Sequence, residues 1–248
     1  MNLLVDIGNS RLKWAQSMDG ELFNHGSCDY DRENFPASLQ SAMKSIDDPG
    51  QVFVANVGGE ALAIALEDYC SSRWSITPVF AKVSEKLAGV HNGYKNTREL
   101  GIDRWLALVA AWQTYRRPLC VVDCGTALTI DVVDSNAVYS GGYIIPGIDL
   151  MINSLSRNTD QVKVAHSESM TLQPGLQTVD CVVHGVYTAC VSAIRQVLQQ
   201  SRQGWGEDVG LVLTGGAAES IGKHLDDDFN IEPWLVLQGL QLIPGDVS

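Results

Sequence analysis

Short apolar runs, broken by turn residues, dominate the first part of the chain. Residues 3–14, Leu3-Leu4-Val5-Asp6-Ile7-Gly8-Asn9-Ser10-Arg11-Leu12-Lys13-Trp14, read as two strand-like runs around a polar turn. Residues 20–30 predict another short strand with polar breaks. Pro36 to Ile46 carries Leu39, Met43 and Ile46 at helical spacing, with Pro near the start. Val52 to Val57 predicts a strand ending at Gly58-Gly59. Residues 60–73 suit an amphipathic helix through Leu62, Ile64, Leu66 and Tyr69, and Pro78 to Ala81 a short strand. Gly89 to Thr97 is polar and turn-rich, and Arg98 to Tyr115 predicts a helix rich in Leu, Ala and Trp.

After Arg116-Arg117-Pro118 the pattern begins again. Cys120-Val121-Val122-Asp123-Cys124-Gly125-Thr126-Ala127-Leu128-Thr129-Ile130-Asp131 is a second hairpin, and residues 137–145 a third strand. Pro146-Gly147 breaks the pattern, Ile148 to Leu155 predicts a short helix, and the polar residues 157–170 a mobile loop. A long helix follows from Gly175 to about Gln200. A strand at Gly210 to Leu213, a short helix at Ala217 to Leu225 and a last strand at Trp234 to Leu237 complete the chain. The order hairpin, strand, helix, strand, helix, strand therefore occurs twice. Duplication predicts two α/β domains, 1–116 and 117–248, with no long linker between them.

Composition narrows the picture. The 248 residues are 45% hydrophobic and 19% charged, as in an ordinary globular protein with a large core. The formal net charge of −12 argues against nucleic acid and against an anionic membrane as partners, because both need a basic footprint. If the ligand is a phosphate, its affinity must come from local N–H groups, a few cations and a bound metal. None of the six cysteines forms a C-x-x-C pair. Most lie in apolar stretches, so buried reduced thiols in a cytoplasmic protein are expected. The chain reads as free of a signal peptide and of a membrane span.

The chemistry concentrates in a few stretches. Each hairpin has an apolar run, then Asp-X-Gly, then a small hydroxyl or amide residue. An Asp ending a buried strand costs free energy unless something pairs with it. The Gly allows a sharp turn and close approach of a ligand. Asn9, Ser10, Thr126 and Thr129 can add donors beside exposed backbone N–H groups, a cradle for phosphate. One such hairpin is common; two at matching places in two halves are not. Gly89-Val90-His91-Asn92-Gly93-Tyr94 and Leu100-Gly101-Ile102-Asp103-Arg104-Trp105 put an acid and a base near a helix start, where a carboxylate is favoured. Judged alone, Asp103 is a helix-start residue and Arg104 an exposed cation. Gly141 to Gly147 and Leu213-Thr214-Gly215-Gly216 suggest close backbone approach, or simply turns. The chain has no G-x-x-x-x-G-K-[ST], no G-x-G-x-x-G after a strand, no G-x-S-x-G and no H-E-x-x-H.

Paired Asp-X-Gly-[Asn/Thr] hairpins in duplicated halves resemble the superfamily of actin, sugar and acetate kinases and heat-shock ATPases. Within it, the N-G-Y and G-x-D-R stretches, in family order with both hairpins, resemble type III pantothenate kinases. The resemblance implies two ribonuclease-H-like domains, each a mixed sheet flanked by helices, with the nucleotide in the cleft between them. It implies ATP-dependent phosphorylation of pantothenate, the first step of coenzyme A synthesis, with Mg²⁺-ATP and a monovalent cation, K⁺ or NH₄⁺. It places Asp6, Ile7, Gly8, Asn9, Ser10, Arg11, Leu12, Lys13 and Thr126 at the phosphates, and Asp123 at the monovalent cation. Tyr94, Gly101, Ile102, Asp103 and Arg104 would line the pantothenate pocket, with Asp103 as general base. It also implies a homodimer in which Thr178, early in the long helix, reaches the partner's pocket. The apolar residues of that helix, Val182, Val183, Val186, Tyr187, Cys190, Ile194 and Val197, form more than one stripe, which itself predicts a second covering surface. A sugar-type kinase, or a regulatory protein on the same fold, is the alternative.

Overall fold

The computed structural model describes residues 1–158, 170–206 and 208–244. They form two compact units. One holds Met1 to Ala110 together with the chain from Trp234 onward, and the other runs from Ala111 to Pro233.

The first unit opens with an antiparallel meander, β1 (Asn2–Ile7), β2 (Arg11–Met18) and β3 (Glu21–Asp29). Helix α1 (Phe35–Ala42) leads to β4 (Gln51–Asn56), and α2 (Glu60–Trp74) to β5 (Val79–Phe80). The sheet order is β3-β2-β1-β4-β5, with β4 and β5 parallel to β1. Leu3 to Ile7 are apolar almost without interruption because β1 is covered on both faces. Leu3, Val5 and Ile7 pack with Phe35, Leu39, Met43, Leu62 and Leu66 from the two helices. A small hairpin, β6 (Lys86–Leu87) and β7 (Val90–His91), turns through Ala88 and Gly89, both at positive φ. Helix α3 (Ile102–Tyr115) follows.

The second unit repeats this plan. β8 (Leu119–Cys124), β9 (Ala127–Val133) and β10 (Tyr139–Pro146) form the meander. Helices α4 (Ile148–Asn158) and α5 (Thr178–Trp205) precede β11 (Gly210–Thr214), and α6 (Ala218–Gly222) precedes β12 (Asn230–Ile231). The order β10-β9-β8-β11-β12 matches the first sheet strand for strand, in direction as well as position. The helix α5 is the centre of this core. It is long and apolar enough to cross a membrane, but Val183, Val186, Tyr187, Cys190, Ile194 and Val197 are buried within the unit.

Six of the seven apolar residues expected to need a second surface on α5 are thus buried inside its own unit, and only Val182 is half-buried. The expected last strand at Trp234 to Leu237 is also corrected: those residues lead into helix α7 (Leu235–Leu240), and the edge strand is β12 just before it. A short apolar run fits a buried helix as well as a strand. The two residues of β12 are exposed and have no apolar pattern to announce them. Helix α3 begins at Ile102, after Arg98, because a 3₁₀ turn at Thr97–Glu99 ends in extended backbone at Leu100. The sequence puts the domain boundary after α3; the compact units part inside that helix, and α7 packs on β1 and β4. The predicted mobile loop at 157–170 lies almost wholly outside the described residues.

Candidate active site

Asp6 is the penultimate residue of β1 and is buried at 7% exposure. Its register partner on β2 is Lys13, so the two side chains share one face of the sheet. Ile7 and Leu12 are fully buried in the core, so only their backbone can meet a ligand. Arg11 pairs with Asp29 at 2.9 Å in an exposed ion pair. The turn closes through the Gly8 N–H, which donates to the Arg11 carbonyl at 3.0 Å.

The carbonyls of this turn are held from one side. The Tyr30 hydroxyl donates to Gly8 O at 2.5 Å, Arg32 Nη2 to Asn9 O at 3.2 Å, and the Tyr30 N–H to Ser10 O at 3.4 Å. Arg32 also reaches Asn9 Oδ1 at 3.3 Å and, through Nη1, Gly58 O at 3.0 Å. Burial pushes the Tyr30 phenol up, with Arg32 opposing and Asp6 adding to it, so it stays a donor at neutral pH. Neither residue belongs to a motif. They come to the turn only because β3 runs back along β2.

On the same unit, Asn92 Oδ1 accepts the Tyr94 N–H at 2.9 Å, fixing the chain just before the tyrosine. The Tyr94 hydroxyl accepts from Arg104 Nη1 at 3.1 Å, and Arg104 is itself 7% exposed. Gly101 caps α3: its carbonyl takes the Trp105 N–H at 3.0 Å. The Asp103 carboxylate folds back over it, with Oδ1 accepting the Arg104 N–H at 2.8 Å. A Cβ at position 101 would stand 2.6 Å from that oxygen, so the G-x-D-R spacing is a packing requirement. Tyr94, Gly101, Asp103 and Arg104 therefore form one cluster, and Arg104 is a buried member of it, not an exposed cation. Ile102 is buried and contributes its backbone.

In the second unit three glycine stretches meet. Gly125 N–H closes the turn on Ala127 O at 3.1 Å, Gly147 N–H donates to Thr126 O at 2.9 Å, and Ala217 N–H to Cys124 O at 3.0 Å. Gly215, at φ +88°, has room for no side chain: a Cβ there would meet Asp123 Oδ1 at 2.4 Å and the Cys124 backbone at 2.6 Å. Gly147 is equally confined by the carbonyls of Gly125 and Thr126. The Gly141–Gly147 and Leu213–Gly216 stretches thus do approach backbone closely, at the Asp123 loop. The register neighbours of Asp123 are Thr129 and Thr214. Thr214 is 1% exposed and its hydroxyl has no hydrogen-bond partner among the described residues. Thr126 is exposed at the tip of the turn, and Thr178 is the exposed first residue of α5. Cys124 faces the core, and burial pushes its thiol far up, so it is no nucleophile. Among the described residues no group of three or more His, Cys, Asp or Glu could hold a metal.

The model of the type III pantothenate kinase family matches residues 2–200. A type III pantothenate kinase from Nitrosococcus oceani is 35% identical over 254 residues, covering 100% of this chain and 95% of that one. This chain belongs to the type III pantothenate kinase family. Family membership makes it a kinase, and sets the two Asp-X-Gly turns and the Asp103 cluster in an enzyme. Solved structures agree on the fold. A conserved Baf family protein from Campylobacter jejuni matches with a TM-score of 0.59 at 22% identity, over 96% of this chain and 95% of that one. Component A of an (R)-2-hydroxyglutaryl-CoA dehydratase from Acidaminococcus fermentans matches at 0.53 and 14%, over 97% and 95%. These likenesses show the fold alone, two ribonuclease-H-like units.

Proposed function

We infer that this enzyme transfers the γ-phosphoryl group of ATP to the primary hydroxyl of pantothenate, giving 4'-phosphopantothenate for coenzyme A synthesis, with Asp103 as the base. The observation that carries the assignment is the Tyr94–Arg104–Asp103 cluster over Gly101. A carboxylate held by the first turn of a helix, beside a buried cation and a phenol, can take a proton from a hydroxyl late in transfer. The remaining parts position and neutralise, which is most of what phosphoryl transfer asks of a protein. In this reading the backbone of Asp6 to Lys13 and the Thr126 tip meet the phosphates, and Lys13 adds a charge. Tyr94 and Gly101 to Arg104 hold pantothenate.

The Mg²⁺ that accompanies ATP needs one or two carboxylates plus the phosphates, and Asp6 meets that demand without a dedicated cage. When bound, it would offset the charge of the phosphates. A monovalent ion, K⁺ or NH₄⁺, fits at Asp123. Where the first copy of the turn sets Lys13 beside Asp6, the second sets Thr129 and Thr214 beside Asp123. These are oxygen donors suited to a hard cation, and the buried Thr214 hydroxyl is still unsatisfied.

We also place the enzyme in the cytoplasm, as a homodimer that binds neither nucleic acid nor membrane. The net charge of −12 supports the last two points. Support for the dimer shifts from α5 to exposed apolar residues of the second unit: Tyr143, Ile144, Leu150 and Leu176 are each about half exposed or more. Thr178 would then serve the partner's pocket. The test is ADP release with pantothenate, hexoses or N-acetylated sugars as acceptor, with and without K⁺. Turnover with a sugar but not pantothenate would replace this reading with a sugar kinase; no turnover with any acceptor would favour a regulatory protein.

A further inference from the structure

We propose that Tyr30 and Arg32 are positioning residues for ATP, holding the Gly8-Asn9-Ser10 turn in its anion-binding form. The inference rests on the reading that this turn meets the phosphates.

In a planar trans peptide the carbonyl of one residue and the N–H of the next point in opposite directions. No peptide bond among the described residues is cis. The carbonyls of Gly8 and Asn9 are both bound from the Tyr30–Arg32 side. The N–H groups of Asn9 and Ser10 must therefore point the other way, side by side. Successive N–H groups aimed at one point make an anion-binding concavity. Without the strap, rotation of either peptide plane would present a carbonyl oxygen to the phosphates and repel them.

Arg32 adds more than a tether. Its guanidinium links Asn9 to the Gly58 turn, so it fixes the Asp6 turn against the end of β4. Its charge stands behind the turn in a molecule whose overall field repels phosphate. Asn9 Oδ1 accepts from the same Nη2, which turns the amide oxygen away and leaves the NH₂ end to the other side.

The second copy of the hairpin carries the same restraint at one matching place. There the Thr126 carbonyl, the counterpart of Asn9, is bound by the backbone N–H of Gly147 at 2.9 Å. The Cys124 carbonyl, bound by the Ala217 N–H, is the counterpart of Ile7, whose carbonyl takes the Val57 N–H at 3.0 Å. At the Asn9/Thr126 place the carbonyl is thus held by a side chain in one turn and by backbone in the other.

The test compares Arg32→Met, Arg32→Lys and Tyr30→Phe with the parent enzyme, reading KM for ATP, KM for pantothenate, kcat and melting temperature. Arg32→Met should raise KM for ATP about tenfold, the loss of roughly one charge-assisted hydrogen bond. KM for pantothenate should stay within about twofold, and the melting temperature close to the parent's. Arg32→Lys keeps the charge and should recover part of the affinity; Tyr30→Phe should act in the same direction with a smaller effect. If Arg32→Met does not fold, Arg32→Lys and Tyr30→Phe are judged by the same split. An unchanged KM for ATP in the strap variants, or a parallel rise in both KM values with a falling melting temperature, overturns the proposal. Lys13→Met separates the two levels. If it raises KM for ATP while the strap variants do not, only the strap fails; if neither moves it, the reading of this turn as the phosphate site fails too.

Discussion

The Cβ that Gly101 lacks would lie 2.6 Å from Oδ1 of Asp103. The nearest atom is the end of a short side chain, not backbone, so alanine at this position moves the carboxylate more than it strains the fold. Misplacing a catalytic group by about 1 Å can cost on the order of 10²-fold. Gly101→Ala should therefore lower kcat roughly 10- to 100-fold and shift the melting temperature by only a few degrees. Steady-state kinetics beside a thermal melt decides it; activity within twofold of the parent would refute the link.

Asp103→Asn keeps the shape and an amide oxygen that can still accept the Arg104 N–H. It cannot accept a proton. A drop in turnover of about 10²–10⁴-fold is expected, with KM for ATP and pantothenate little changed and melting as in the parent. A variant that melts like the parent and turns over within a few-fold of it would rule out the base.

At Asp123 the readout is the response to potassium. The parent should be faster and melt higher in K⁺ than in K⁺-free Tris, and Asp123→Asn should lose both responses. Thr214→Val removes a buried hydroxyl that lacks a partner, which is nearly neutral or stabilising. In K⁺-free buffer it should melt no lower than the parent. A lower melting point would mean that the hydroxyl already contributes to the fold.

Gly239→Ala tests the packing of α7. Its Cβ would stand 2.4 Å from the Leu106 carbonyl oxygen and 2.7 Å from the carbonyl carbon, and backbone cannot retreat cheaply. Overpacking of this kind costs about 1–3 kcal/mol. A fall in the urea midpoint at constant slope is expected, and an unchanged midpoint would show that α7 shifts freely.

Dimerisation is checked by sedimentation. A dimer at micromolar concentration is expected, weakened by Leu176→Asp. A fully active monomer would remove the role given to Thr178.

What the sequence shows is the framework. Asp6 and Asp123 stand out because an acid ending an apolar run before glycine has few uses, and it occurs twice at matching places. The G-x-D-R stretch is legible as a motif, but its reason is not: only the folded structure shows the carboxylate turned back onto Gly101. Tyr30 and Arg32 carry no signal at all. Their role depends on the length of β3, which returns the chain to the first turn. The α7 helix is misread as a strand because six residues, five of them buried, give too little periodicity to distinguish the two. Thr214 looks like an ordinary strand end until its hydroxyl is seen to be unsatisfied.

The placement of α7 has a consequence for synthesis. Domains generally fold as units as they leave the ribosome, the N-terminal one first. Here the sheet that emerges first lacks the helix that covers β1 and β4, and the glutamine that ties the end of the chain to it: Gln241 Nε2 donates to Ser17 Oγ at 2.9 Å and to Gly20 O at 3.0 Å. Those residues are translated only after the whole of the second unit. The later unit, contiguous from Ala111 to Pro233, can close while the earlier one still waits with apolar strands uncovered. A nascent chain stalled just short of Trp234 would hold one finished unit and one unfinished one, and the unfinished one would be the half made first.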